Sequence, residues 1–151
     1  MNTTIQGKSD TAVSCAGPAR FFRVLVVDDN EADRRLAAMH LGAIWPFERD
    51  LEVDYAVNGG EALQKIRQQQ FALIVLDWKM PRLGGGEVLR TIRQGGTRVP
   101  VVVLSGADRE FIDDDIESLG ASYLNKNQLT ADSFLKAIAF SFQLLGQSRP
   151  F

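Results

Sequence analysis

Four apolar runs in this chain each end at a residue that can do chemistry. Val24-Leu25-Val26-Val27 stops at Asp28-Asp29, and Leu73-Ile74-Val75-Leu76 stops at Asp77. Val101-Val102-Val103-Leu104 stops at Ser105-Gly106, and Ala121-Ser122-Tyr123-Leu124 leads through Asn125 to Lys126. If these runs are parallel strands of one sheet, their carboxyl ends share an edge. That edge gathers three carboxylates, a hydroxyl and an ammonium into one crevice, the place where open α/β sheets bind ligands.

Helical patterns separate the runs. The first strand spans Phe22 to Val27, and a helix follows from about Glu31 to Ala43. Asn30 can cap its free amides, and Leu36, Met39 and Ala43 are its expected buried stripe. Pro46 makes a loop of Trp45 to Asp50, because proline cannot continue a helix. The second strand is expected over Leu51 to Val57, with Val53, Tyr55 and Val57 on one face. Asn58-Gly59-Gly60 is a turn signal, and Glu61 to Gln70 reads as a helix with Ala62, Leu63 and Ile66 inward. The third strand, Phe71 to Leu76, is all apolar and rich in β-branched residues, which suits burial on both faces. Gly84-Gly85-Gly86 precedes a helix containing Val88, Leu89 and Ile92, and Gly95-Gly96 closes it. The fourth strand is Val99 to Leu104. A helix from Asp108 to Leu119, closed by Gly120, precedes a short fifth strand near Ala121 to Leu124, and the last helix runs from Thr130 to Leu145. Strands alternating with helices predict an α/β domain, a parallel sheet covered on both faces with right-handed crossovers.

Composition narrows the function classes. A chain of 151 residues with 45% apolar content suits one domain with a proper core. A net charge of -2 predicts no nucleic-acid partner and no attraction to acidic membranes, and no stretch is apolar enough to span a membrane. A lone Cys15 excludes an intrachain disulfide and argues for a reducing compartment. The first twenty residues, rich in Thr, Ser, Gly and Ala, contain no apolar core of signal-peptide type. The expected location is therefore the cytoplasm. Residues 1–20 are expected to form a flexible N-terminal extension, residues 21–146 the domain, and residues 147–151 a C-terminal tail.

Asp28 and Asp29 are adjacent acids that repel unless a cation sits between them, and Asp77 would bring a third charge on a neighbouring strand. An all-oxygen cluster of this kind suits a hard divalent cation, most simply Mg²⁺. The plain alternative is that Asp28-Asp29 begin a turn. Lys126 is expected at the same crevice, where a resting salt bridge to Asp28 or Asp77 and a later phosphate contact are compatible. Ser105 is a poor candidate for nucleophilic catalysis, since no Gly-x-Ser-x-Gly elbow surrounds it and the only histidine, His40, lies in the first helix. His40 reads as an ordinary helix residue. Gly84-Gly85-Gly86 lacks the Gly-Lys-Ser/Thr ending of a phosphate loop, and Asp113-Asp114-Asp115 reads as a solvated helix face.

Taken together, the segments Val24-Leu25-Val26-Val27-Asp28-Asp29-Asn30, Leu73-Ile74-Val75-Leu76-Asp77-Trp78-Lys79-Met80-Pro81, Val101-Val102-Val103-Leu104-Ser105-Gly106 and Tyr123-Leu124-Asn125-Lys126 resemble the receiver domain of two-component response regulators. The resemblance covers about Phe22 to Leu145. It implies a flavodoxin-like, doubly wound, five-stranded parallel sheet in the order 2-1-3-4-5 with helices on both faces. It also implies that Asp77 attacks a phosphohistidine on a sensor histidine kinase or phosphotransfer protein and becomes an aspartyl phosphate. Mg²⁺ would be held by Asp29 and Asp77 directly, by the backbone carbonyl of Lys79, and by Asp28 through water. Metal and Lys126 would neutralise the phosphoryl oxygens, and Ser105 would hydrogen-bond to the attached phosphate. Tyr123 is placed like the family's switch aromatic, reporting to a face built from the fourth helix, the fifth strand and the fifth helix. Such a protein is not an enzyme beyond its own phosphorylation and dephosphorylation.

Three residues depart from the common family pattern. Asn127 follows Lys126 where many members have proline, Ser105 replaces the commoner threonine, and Lys79 places a second ammonium at the mouth of the site. Only six residues follow Leu145, so the expected type is a single-domain regulator whose output is a contact with a downstream protein target. A constitutive binding module that no longer cycles phosphate is the alternative. A phosphohydrolase would place an acid two residues after its nucleophile, where Lys79 stands. In the last helix, Leu135, Ile138, Phe142 and Leu145 have the spacing of a core face. That leaves Phe134, Ala137, Phe140 and Leu144 as a flank, expected to be buried in a homodimer or partner complex, Phe140 above all.

Overall fold

The computed structural model describes residues 21–45, 50–112 and 115–147. The expected extension over 1–20, Cys15, most of the 45–50 loop, Asp113-Asp114 and the tail beyond 147 lie outside these residues. The elements are β1 (Phe21–Val27), α1 (Glu31–Ala43), β2 (Asp50–Ala56), α2 (Gly59–Gln68), β3 (Leu73–Leu76), α3 (Gly85–Gln94), β4 (Val101–Ser105), β5 (Ala121–Asn125) and α4 (Ala131–Leu144). The sheet order is β2-β1-β3-β4-β5, with every neighbouring pair parallel. This is the flavodoxin-like arrangement that the family resemblance implied. None of the described helices is long and apolar enough to cross a membrane.

Alternation along the strands divides the core in two. Leu25, Val27, Ile74, Leu76, Val101 and Val103 point to the face covered by Ala62 of α2 and by Val88, Leu89 and Ile92 of α3. Val24, Val26, Leu73, Val75, Val102 and Leu104 point to the opposite face, covered by Ala37 and Leu41 of α1 and by Phe134, Ala137, Ile138 and Phe142 of α4. The central strands are buried on both sides, so they read as unbroken apolar runs. Each fully buried Leu, Ile or Val here contributes about 1.5–3 kcal/mol relative to exposure.

The ladder fixes where the strand ends fall. Val27 pairs with Leu76, so Asp28 and Asp77 are the next residues on adjacent strands. Pro100 has no amide to donate, and its carbonyl accepts from Ile74 at 3.0 Å, so β4 starts at Val101 rather than Val99. β4 continues through Ser105, which pairs with Asn125.

Several expectations require correction. The buried stripe of α1 is Ala37 and Leu41, whereas Leu36 and Met39 are 38% and 62% exposed and Ala43 is also exposed. A small residue at 37 lets the helix backbone approach the sheet, which turns the neighbouring large side chains outward. β2 is an edge strand that ends at Ala56, and both Tyr55 and Val57 are exposed. Asn58 is an N-cap rather than a turn apex. Its side chain accepts from Glu61 N at 2.7 Å, so α2 starts at Gly59.

The helix expected over Asp108 to Leu119 is absent among the described residues. A 3₁₀ turn at Arg109–Phe111 and turns at 116–120 stand there. The segment carries Asp at 108 and 113–115, a residue of weak helix propensity that favours caps and turns. Its tertiary anchors are the buried Ile112 and Ile116. Gly120, at φ +73°, then reverses the chain into β5. α4 is seated deeper than expected. Its buried face is Phe134, Ala137, Ile138, Ser141 and Phe142, while Leu135 and Leu145 are half-buried. The small residues explain the close seat: Ser122 Oγ, from the strand beneath, donates to Ala137 O at 2.7 Å. Phe140 does stay outside, 40% exposed.

Candidate functional site

Asp28, Asp29, Asp77, Ser105 and Lys126 meet at the carboxyl edge of the sheet. β1 hands directly into the turn that starts α1. Asp28 N donates to Ala56 O at 3.1 Å, and Asp28 Oδ1 accepts from Asn30 N at 2.9 Å. The Asn30 side chain in turn caps α1 by accepting from Asp33 N at 3.0 Å. Asp77 N donates to Val27 O at 2.8 Å, which places its carboxylate beside Asp28 at the end of the central strand. Asp28 and Asp77 are buried and Asp29 is exposed. One oxygen from each of the three carboxylates can be chosen so that all lie within 4.8 Å of one another.

Electrostatics marks Asp77 out. Burial, reinforced by the charges of Asp28 and Asp29, pushes its carboxyl up to about 6, with Lys126 only partly opposing. A cluster so crowded with negative charge fits a hard divalent cation, and its donor set is all oxygen, as Mg²⁺ prefers.

Lys126 Nζ donates to Asp28 Oδ2 at 2.7 Å and to Asp33 Oδ2 at 2.8 Å, and lies 3.5 Å from Asp77 Oδ1. Burial works against the ammonium. The hydrogen bonds to Asp28 and Asp33 and the charge of Asp77 outweigh it, and the pKa is raised. The expected resting bridge to Asp28 is present, but Asp33 was missed by sequence reasoning. The available signal was its position in the first turn of a helix that begins three residues after Asp28. Arg34, also missed, ties the same turn to the strand end by donating to Asp28 O at 2.8 Å.

Ser105 Oγ is buried and accepts from Ala107 N at 3.1 Å. A cavity of about 340 Å³ is lined by Asp77, Lys79, Ser105, Gly106, Ala107 and Lys126. Lys79 is exposed at its rim. Tyr123 is half-buried. Its hydroxyl donates to Ala107 O, and burial raises its pKa. Asn125 Nδ2 donates to Asp108 Oδ1 at 2.9 Å, a second tie between β5 and the segment after Ser105. The glycine run at 84–86 has a packing role: Gly85 N donates to Trp78 O at 2.9 Å, and Gly86 faces the Trp78 ring.

Comparison with known proteins agrees with this geometry. The chain is 39% identical over 100 residues to a protein-glutamate methylesterase/protein-glutamine glutaminase of Nocardioides sp., covering 66% of this chain and 26% of that protein. It is 38% identical over 90 residues to the alkaline phosphatase synthesis transcriptional regulatory protein PhoP of Bacillus subtilis, covering 59% of this chain and 35% of that protein. The match thus spans about a quarter to a third of the length of these curated relatives. Among solved structures, response regulator protein TrrA of Thermotoga maritima, in complex with Mg²⁺-BeF, superposes with a TM-score of 0.67 at 27% identity, over 80% of this chain and 98% of that one. A response regulator receiver protein from Pseudomonas putida gives a TM-score of 0.66 at 26% identity, over 80% and 98%. The family model described as response regulator receiver domain matches residues 24–139, and the chain belongs to that family.

Proposed function

We propose that Asp77 accepts a phosphoryl group from a histidine kinase or phosphotransfer protein in a Mg²⁺-dependent reaction. The observation that carries this reading is the Asp77 carboxylate itself. It is buried at the end of the central strand, clustered with Asp28 and Asp29, and 3.5 Å from the Lys126 ammonium. Asp29 and Asp77 would hold the cation directly, with the Lys79 carbonyl, and with Asp28 through water. Bound there, the cation would neutralise charge on the transferring phosphoryl group. Asp77 is the nucleophile. It needs no general base, since a carboxylate that is ionised near neutral pH attacks directly. Lys126 supplies fixed positive charge where negative charge accumulates, and Ser105 in the 340 Å³ cavity donates to the attached phosphate.

Signal leaves the site through the segment that follows Ser105. Tyr123 and Asn125 hold that segment by Ala107 and Asp108. A new phosphate contact at Ser105 would compete with its bond from Ala107 N and shift both anchors. The output face is then the surface of β5 and α4, where Phe140 is available to a homodimer or a target protein in the cytoplasm. Incubation with acetyl phosphate and Mg²⁺, read by intact-protein mass spectrometry, tests the proposal. Wild type should gain one phosphoryl group and Asp77→Asn none. No gain by wild type would favour a constitutive binding module.

A further inference from the structure

We infer that Asp33 is a positioning residue that draws the Lys126 ammonium toward α1 in the resting protein and keeps its ion pair with Asp77 long, which eases entry of the cation at the acceptor carboxylate. This rests on the reading of Asp77 as the acceptor. An ammonium has three protons to donate. In this structure two short bonds go to Asp28 at 2.7 Å and Asp33 at 2.8 Å, while the ion pair with Asp77 is longer, at 3.5 Å.

The position of Asp33 is set by rigid parts. It sits in the first turn of α1, its amide is bound by the Asn30 side chain at 3.0 Å, and Arg34 clamps the next position to Asp28 O at 2.8 Å. A carboxylate in a helix's first turn is also favoured by the helix dipole. Without the pull of the Asp33 charge, Lys126 would retain Asp28 and shift to shorten its pair with Asp77. The ammonium would then occupy part of the volume and neutralise part of the charge that the cation needs. Asp33 thus acts through Lys126 and touches neither the reacting atoms nor the metal.

The experiment is a magnesium chloride titration of the full chain, followed by Trp78 fluorescence, on wild type, Asp33→Asn, Lys126→Gln and the double variant. Trp45 packs at a tilt against Phe22, ring centroids 4.4 Å apart, in the opposite half of the core, and a Trp45→Phe background removes its signal. Asp33→Asn is expected to weaken Mg²⁺ binding roughly fivefold. In the Lys126→Gln background the same substitution should change it by less than about twofold, as a coupled pair requires. Asp33→Glu should restore most of the affinity. With acetyl phosphate, Asp33→Asn should raise the Mg²⁺ concentration needed for half-maximal phosphorylation while leaving the rate at saturating Mg²⁺ nearly unchanged. A purely structural role would lower the rate at saturating Mg²⁺ as well. Asp33→Asn keeps the backbone amide that Asn30 caps, and Asp33→Ser gives a second test should Asn fold poorly. Unchanged affinity in Asp33→Asn, or an equal loss in both backgrounds, overturns the inference. If wild type binds Mg²⁺ with the expected coupling but gains no phosphoryl mass, the acceptor reading fails and the role of Asp33 stands. If wild type binds no Mg²⁺, both fall.

Discussion

Gly85 rests directly on the peptide of Asp77. Its amide donates to the adjoining Trp78 carbonyl at 2.9 Å, and a Cβ at this position would overlap the Asp77 carbonyl oxygen and lie 2.9 Å from Trp78 Cα. The start of α3 is therefore packed against the end of β3 that carries Asp77, with no room for a side chain. We expect Gly85→Ala to cost about 1–3 kcal/mol, as overpacking does, despite the helix propensity it adds. Denaturant unfolding would measure the loss. Because the displaced atoms carry Asp77, acetyl phosphate labelling should slow as well. A variant as stable and as readily labelled as wild type would contradict the packing seen here.

Asp77→Asn should stabilise the metal-free protein, with a defined pH dependence. The folded-state pKa of Asp77 is raised to about 6 from an ordinary aspartate's 3.8. Between those two values the folded state binds more protons than the unfolded state, so the contribution of Asp77 to stability is fully present below the lower value and is lost as pH rises through the upper one. The displacement corresponds to about 2–3 kcal/mol. Asn carries no charge at any pH. The stability advantage of Asp77→Asn over wild type should thus be small at pH 4, grow through pH 6 and level off above pH 7. Thermal melts of the pair in chelator, as a difference, isolate this effect from the other carboxylates. A difference that does not vary with pH would rule it out.

The same titration governs the metal. A protonated Asp77 cannot ligate a cation, so Mg²⁺ affinity should rise with pH through about 6 and then flatten. Asp29→Ala should weaken binding more than Asp28→Ala. Asp29 is exposed and makes no ion pair with Lys126, whereas Asp28 Oδ2 is engaged by Lys126 at 2.7 Å. Trp78 fluorescence, or isothermal titration calorimetry, would rank the two variants. The opposite order would assign direct ligation to Asp28.

Residues whose position depends only on the local pattern were legible in the sequence. Val24–Val27 and Leu73–Leu76 announce central strands because burial on both faces demands unbroken apolar runs, and the polar residue at each run's end then marks the crevice. The strand order came from the family resemblance. The 3.6-residue period identified α1 and α4 as helices, yet it misjudged which faces are buried, because the deciding contacts are tertiary. Ala37, Ala137 and Ser141 are buried through close approach to the sheet, which side-chain size alone does not signal. Asp33 was missed for the same reason, since its partner Lys126 is 93 residues away in the chain. The segment after Asp108 has apolar residues at helical spacing, Ile112 and Ile116, but its aspartates at 113–115 favour caps and turns over helix.

The deeper seat of α4 separates two phenylalanines expected to share its outer flank. Phe134 has no exposure and packs with Val102, Leu104 and Leu124 in one half of the core, while Phe140 is 40% exposed on the other side of the helix. Phe134→Ala should cost about 3–5 kcal/mol, the usual penalty for emptying a phenylalanine site in a core. Phe140→Asp should change the stability of the monomer by less than about 1 kcal/mol, because no core contact is lost. The two measurements separate burial within the fold from burial between molecules. Should Phe140 lie in a homodimer or target interface, Phe140→Asp would leave the melting curve of the dilute protein in place yet lower the sedimenting mass or the partner affinity of the phosphorylated form. A melting curve that collapses in Phe140→Asp at high dilution would mean that α4 buries this side chain within the monomer. Unchanged mass and unchanged partner binding in a folded variant would take Phe140 out of the output face.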